Sequence, residues 1–222
     1  MSNKQNYQKI LDRLLSDRET CGKRLLLHSC CAPCSSYVLV YLSRYFEITV
    51  FFYNPNITEQ EEYHKRMQEQ KRLIAELNKE RTQGEERFPI HVIEGEYEPD
   101  AFWQISQGKE SEPEGGARCF ACYTMRLKKT AQLASEKEFD FFTTTLSISP
   151  MKNAEKLNEI GKKLGESYGV PYLLSDFKKK NGYLTSIELS RKYCLYRQDY
   201  CGCIYSAKER ERQKKERTEE SI

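Results

Sequence analysis

The sequence predicts a single α/β domain built on a mostly parallel five-stranded sheet flanked by helices. Two patterns along the 222 residues carry that expectation. Short runs rich in β-branched and aromatic residues recur through the chain, and stretches with apolar residues at helical spacing separate them. Strands that alternate with helices of this length need right-handed crossovers, and those pair strands in parallel. No internal repeat competes with this reading.

Taken in order, Leu25–Leu27 is an apolar run that leads into His28 and Ser29 and reads as a buried strand. Helical spacing follows from Cys34 to Tyr45. Glu47–Tyr53 (EITVFFY) is the second strand, stopped by Asn54-Pro55-Asn56. Thr58 with Glu61 three residues on has the form of a capping box, opening a charged helix to about Asn78. Its stripe is Tyr63, Met67, Ile74 and Leu77. Phe88–Ile93 is the third strand, followed by a short aromatic turn at Phe102 and Trp103 and a Gly/Glu-rich loop ending at Gly115-Gly116. A helix near Cys119–Cys122 carries Tyr123, Leu127, Ala131 and Ala134 on one face. Phe139–Leu146 is the fourth strand, Asn153–Tyr168 a helix, Val170–Leu174 the fifth strand, and Ser186–Lys192 a last helix before the final cysteines. Residues 1–22 form an N-terminal helical extension, 23–206 the α/β catalytic domain, and 207–222 a charged tail whose mixed signs give a solvated helix.

Composition narrows the function. The first residues, MSNKQNYQKI, contain no apolar core of a secretory signal, and no apolar stretch is long enough to span a bilayer. The expected compartment is the cytoplasm, where thiols stay reduced and nine cysteines need a purpose other than disulfides. A net charge of +3 permits an RNA partner without arguing for one.

Seven of the nine cysteines fall into three groups: Cys30, Cys31 and Cys34; Cys119 and Cys122; Cys201 and Cys203. Each group follows a strand, so all three can converge at the carboxyl edge of a parallel sheet, where such folds bind ligands. Thiolates suit zinc or an iron–sulfur cluster. Cys119-x-x-Cys122 is a fair zinc half-site, but its partners lie roughly eighty residues away on either side, and one includes a doublet of adjacent cysteines. Adjacent cysteines serve different irons of a cluster, or a cluster and a second metal, more easily than one ion. Cys31-x-x-Cys34 and Cys201-x-Cys203 also have the form of redox-active dithiols, although seven thiols exceed what a dithiol enzyme uses. His28 reads as a structural histidine. No phosphate loop or dinucleotide fingerprint is present.

The motifs HSCCAPC (28–34), FFYNPNI (51–57), RCFACYTMRL (118–127), TTTLSISPMKN (143–153) and YRQDYCGC (196–203) together resemble the QueH family of epoxyqueuosine reductases, in order and from about Leu25 to Ser206. The resemblance implies an adenine nucleotide α-hydrolase-like (HUP) topology. It implies a cobalamin-independent oxidoreductase that reduces epoxyqueuosine at the wobble position of tRNA to queuosine, the last step of queuosine biosynthesis, with a separate electron donor. It also implies a [4Fe-4S] cluster on Cys30, Cys31, Cys119 and Cys122. Cys201 and Cys203 then act as a catalytic dithiol or, with Cys34, bind an adjacent mononuclear iron; in an alternative division, one of Cys30 and Cys31 goes to the second metal and Cys201 joins the cluster. Tyr196 and Asp199 are candidate proton donors. Arg118, Lys128, Lys129, Lys178–Lys180 and Arg197 are candidate contacts to the RNA backbone, and Asn54 and Asn56 either bind substrate or shape their turn. The rival readings are a zinc-stabilised RNA-binding module and a cluster-dependent tRNA sulfur transferase.

Overall fold

Apolar β-rich runs this short can hide all their surface only inside a layered sheet, and four of them do so. In the computed structural model, which describes residues 5–84 and 86–219, the strands are β1 (Lys23–His28), β2 (Phe46–Phe52), β3 (Ile90–Glu94) and β4 (Phe141–Thr144). They pair in parallel in the order β3-β2-β1-β4, with Leu26 of β1 opposite Thr49 and Phe142. Leu25 to His28 are buried on both faces, as expected of a central parallel strand.

Helices α1 (Tyr7–Leu15), α2 (Ala32–Leu42), α3 (Gln60–Thr82), α4 (Pro99–Ser106), α5 (Ala117–Glu136), α6 (Ala154–Tyr168), α7 (Gly182–Lys192) and α8 (Ile204–Glu219) complete the chain. Two main cores result. Leu25, Leu27, Ile48 and Val50 pack with α2, α3 and Phe177 on one face. Leu26, Phe51 and Phe142 pack with Tyr123, Leu127 and Ala131 of α5 and Leu157 of α6 on the other. Among the described residues no helix is long and apolar enough to cross a membrane.

The fifth strand expected over Val170–Leu174 shrinks to one parallel bridge, Phe142 to Tyr172. The cause is local. Pro171 has no N–H to extend the ladder, and the Leu173 carbonyl accepts from the Thr143 hydroxyl at 2.9 Å. The Asn158 amide takes both backbone groups of Ser175, at 2.8 and 2.9 Å. Other boundaries also move. The Thr58–Glu61 box does not form, since Glu59 is the N-cap of α3 without a side-chain bond. The aromatic turn at Phe102 is a full helix, α4, started by Pro99. The fourth strand stops at Thr144, whose hydroxyl caps a 3-10 turn (Thr145–Ile148).

The carboxyl ends of the strands are cross-tied by buried polar groups. His28 Nδ1 lies 2.8 Å from Thr144 Oγ1, which joins β1 to β4. Its Nε2 lies 3.2 Å from Arg126 Nε and 3.1 Å from the Tyr53 carbonyl. A buried guanidinium must donate, so the neutral Nδ1–H tautomer, accepting at Nε2, is the consistent assignment. Burial, and then the Arg126 charge, push the His28 pKa down to about 3. Arg126 also donates to Asn54 Oδ1 at 2.5 Å, and the Asn54 amide donates to Ser29 O at 2.9 Å. Asn54 is therefore committed to the turn.

The folded chain keeps His28 neutral where the unfolded chain, with an ordinary histidine pKa of about 6.5, binds a proton. Unfolding is thus favoured as pH falls from about 6.5 toward about 3, by roughly 1.4 kcal/mol per pH unit for this one proton. Urea unfolding followed against pH should show that slope, and His28→Gln should remove it. On the other face, an added Cβ at Gly182 would sit 1.9 Å from the Phe177 carbonyl. Gly182→Ala should cost about 1–3 kcal/mol in the same assay, since backbone rather than a flexible side chain must give way.

Candidate metal centre

The turn after β1 carries the first cysteine group. Ser29 and Ser35 both donate to Gln70 Oε1 of α3, at 2.8 and 2.9 Å, which holds the turn and the first turn of α2 at two points. Cys31 is the N-cap residue of α2 and Pro33 lies in its first turn. The sulfurs of Cys30, Cys31 and Cys34 all lie within 4.8 Å of one another, an arrangement that can hold a metal ion. Cys30 Sγ is 3.8 Å from Cys31 Sγ and 3.9 Å from Thr145 Oγ1. Hydrogen bonds from Cys31 and Cys34 hold the Cys30 thiol well below its usual range. The same sharing pushes Cys31 up to about 12 and raises Cys34. Of the three sulfurs Cys30 is therefore the readiest to ionise, and a bound cation would take the place of the thiol protons.

The other four cysteines line a small neighbouring cavity together with Asn56, Phe102, Tyr123 and Lys152. Cys119 and Cys122 come from the first turns of α5, and Cys203 directly precedes α8. Burial raises Cys119 and pushes Cys122 to about 11 and Cys203 to about 12. Each of the four sulfurs meets its own N–H donor. Gly115 N reaches Cys119 Sγ at 3.3 Å and Arg126 Nη1 reaches Cys122 Sγ at 3.9 Å. Asn56 Nδ2 reaches Cys201 Sγ at 3.9 Å, and Ser206 N reaches Cys203 Sγ at 3.4 Å. Donors of this kind stabilise thiolate over thiol, the form that binds metal.

A larger cavity of about 410 Å³ opens beside it, lined by Cys30, Cys31 and Cys34 on one wall and Arg197 and Asp199–Cys201 on another. Cys201, Lys152, Glu114 and Ser206 line both cavities. They are linked: Lys152 Nζ is 2.8 Å from Glu114 Oε1, the Ser206 hydroxyl donates to Glu114 Oε2 at 3.4 Å, and Cys201 N donates to Ser206 Oγ at 3.1 Å. Lys152 is almost wholly buried; desolvation works against its charge, but its pKa is raised, with the Glu114 carboxylate at 2.8 Å as its ion-pair partner. Arg66, also buried, is bound to Glu62 at 2.6 Å and donates to the Cys201 carbonyl at 3.3 Å. Glu114 and Arg66 carry no sequence signal of a site role, and Lys152 and Arg126 fall inside the quoted motifs without being singled out there. Their pairing depends on which loops meet.

The remaining sequence candidates fall in several places. Asp199 lines the larger cavity, and Lys214 at 2.8 Å holds its carboxyl below the usual range. The Tyr196 hydroxyl donates to Glu62 at 3.0 Å and lies outside the lining of either cavity. Arg118 is buried and donates to the carbonyls of Lys109 and Glu110 at 2.8 and 3.0 Å, so it ties down a loop and offers nothing to a phosphate. Arg197 is exposed at the cavity wall. Lys178 and Lys180 pair with Asp176 and Asp12, Lys129 lies 3.8 Å from Glu98, and Lys128 and Lys179 are exposed.

Comparison with known proteins places this geometry. The family model described as epoxyqueuosine reductase QueH matches residues 25–209. The epoxyqueuosine reductase QueH of Staphylococcus epidermidis is 43% identical over 206 residues, covering 91% of this chain and 84% of that protein. The proteins of the same name from Streptococcus pyogenes and Thermotoga maritima are 41% and 34% identical, over 91% and 84% of this chain and 78% and 91% of theirs. With the match spanning the sheet, the crossing helices and all three cysteine groups, the chain belongs to the QueH family of epoxyqueuosine reductases.

Proposed function

We infer that this chain is an epoxyqueuosine reductase, an oxidoreductase that converts epoxyqueuosine in tRNA to queuosine. The observation that carries the reading is the meeting of all seven grouped cysteines at two adjoining cavities, inside the region matched by the family. The reaction takes an epoxide, two electrons and two protons to an alkene and water. It needs a supply of single electrons, a proton path and a pocket that admits a base with a bulky substituent.

The donor set fits a [4Fe-4S] cluster and a second centre. Seven sulfurs exceed the four a cluster takes, and all are free thiols. The spatial grouping favours Cys119, Cys122, Cys201 and Cys203 for the cluster, because each already has its own N–H donor. Cys30, Cys31 and Cys34 are then the ligands of an adjacent mononuclear iron: adjacency alone disfavours Cys30 and Cys31 on one ion, but the three sulfurs lie within 4.8 Å of one another, which supports it. This division departs from the one implied by resemblance, which took Cys30 and Cys31 with Cys119 and Cys122. When bound, these groups supply one-electron transfer beside the substrate and a Lewis acid.

The protein's own residues do the rest. The 410 Å³ cavity receives the base, and Lys152 and Arg66 offer positive charge at its wall where oxygen leaves carbon. Asp199 is ionised, so it accepts from a substrate hydroxyl more readily than it donates a proton. Tyr196 donates to Glu62, which binds Arg66 of the cavity lining, and since a guanidinium passes no proton on, Tyr196 positions Arg66 rather than supplying a proton. Arg197 at the rim is positioned for a backbone phosphate of the unstacked loop. The electron donor is a low-potential partner, and the compartment is the reducing cytoplasm.

Anaerobically reconstituted protein should be brown and convert epoxyqueuosine to queuosine in tRNA when given a low-potential reductant, read by nucleoside analysis. A cluster-replete protein without conversion refutes the activity, and a colourless protein holding zinc without sulfide restores the binding-module reading. Cys122→Ala and Cys203→Ala should lose iron and sulfide together. Cys34→Ala should keep the sulfide and lose turnover by tenfold or more, on the order seen for metal-site changes. Full sulfide in Cys203→Ala would return that residue to the second centre.

A further inference from the structure

The four-cysteine cavity contains one hydroxyl that the protein leaves without a partner. Tyr123 is 1% exposed and lines the cavity beside Cys119, Cys122, Cys201 and Cys203. Its hydroxyl is fully buried and has no hydrogen-bond partner. Burying a hydroxyl without a partner costs about 1–3 kcal/mol, and the four neighbouring sulfurs are each served by a different donor. The position is tightly built: Tyr123 packs in the core between α5 and the sheet, with Phe120 at 6.1 Å between ring centroids. A phenylalanine fills the same volume, so packing alone gives no reason for the oxygen.

We propose that the Tyr123 hydroxyl donates a hydrogen bond to the sulfur-rich group held in this cavity and so sets its reduction potential. The inference rests on the cluster reading above and adds a residue to it. A phenol is a donor that needs an acceptor, and a sulfur-rich group seated among these four cysteines brings one, in competition with the oxygens of Asn56 and Glu114 in the same lining. Reduction adds negative charge to that group. A hydrogen bond directed at it therefore stabilises the reduced form more than the oxidised one and raises the potential. Tyr123 is on this argument a positioning and tuning residue. It supplies no proton to substrate, and its ring faces the small cavity rather than the 410 Å³ one that receives the base.

The test uses the reconstituted full chain, with Tyr123→Phe beside wild type and Tyr172→Phe as a control. Tyr172 is buried against Phe142 and lines neither cavity. Iron and sulfide per chain, and the midpoint potential from a spectroscopic redox titration, are the readouts. Tyr123→Phe should keep its iron and titrate at a more negative potential, while Tyr172→Phe titrates with wild type. An unshifted potential in Tyr123→Phe overturns the proposal and leaves the cluster reading intact. A wild type that takes up no iron and sulfide overturns both. Should Tyr123→Phe hold too little cluster to titrate, thermal unfolding of the metal-free chain decides. Its Tm at or above wild type assigns the loss to the missing donor and supports the proposal; a lower Tm assigns it to the fold and overturns it.

Discussion

A charge buried at the top of the sheet organises this molecule. Arg126 has no measurable exposure, yet its guanidinium is permanently charged. Its hydrogen bonds run to the neutral acceptors Asn54 and His28 and to one sulfur, Cys122. Desolvation of such a group costs several kcal/mol unless negative charge lies nearby. Cysteine sulfurs lie close enough to act on that charge, Cys122 most and then Cys30 and Cys201, and of these Cys30 is the one whose thiol is held well below its usual range. One from each of the three cysteine groups is therefore coupled to the same cation. The arginine favours the ionised form of Cys30 and Cys122, and an ionised sulfur beside it offsets part of the cost of burying its charge.

That constraint explains why the surrounding polar groups are placed as they are. His28 must be neutral to accept from Arg126, and Thr144 fixes its tautomer from β4. Asn54 must turn its oxygen to the guanidinium, so its amide nitrogen falls to Ser29 O and pins the turn that carries Cys30. The sequence HSCC and the sequence YNPN are thus two halves of one network, joined through an arginine placed about seventy residues beyond the second half.

Much of this was legible in the sequence, and the failures have physical causes. Strand runs and helical stripes located four strands and the main crossing helices, because burial on both faces leaves a strong apolar signature. The fifth run failed because Pro171 and the side chains of Thr143 and Asn158 take over its ladder partners, a tertiary effect that no window of Val170–Leu174 records. The convergence of the three cysteine groups followed from topology. What spacing could not supply was which sulfur faces which. Cys30 and Cys31 are adjacent, and Cys119 and Cys122 are one helical turn apart, but cavity membership is set by loops whose approach depends on Lys152 and Glu114. Arg118 misled for the same reason: a cation beside a cysteine motif reads as a phosphate contact until its partners prove to be loop carbonyls.

The wall between the two cavities is where structure and chemistry meet. Cys201, Ser206, Glu114 and Lys152 come from three separate segments and are joined in one chain of polar contacts. Gly202 between the two last cysteines has φ +105°, and a side chain there would press on Ile57 and Arg66. Only glycine adopts that backbone without strain and at that distance. The Cys201–Cys203 loop therefore lies flat against α3 while its first sulfur lies at the shared wall. Of the seven grouped cysteines, Cys201 is the one that lines both cavities.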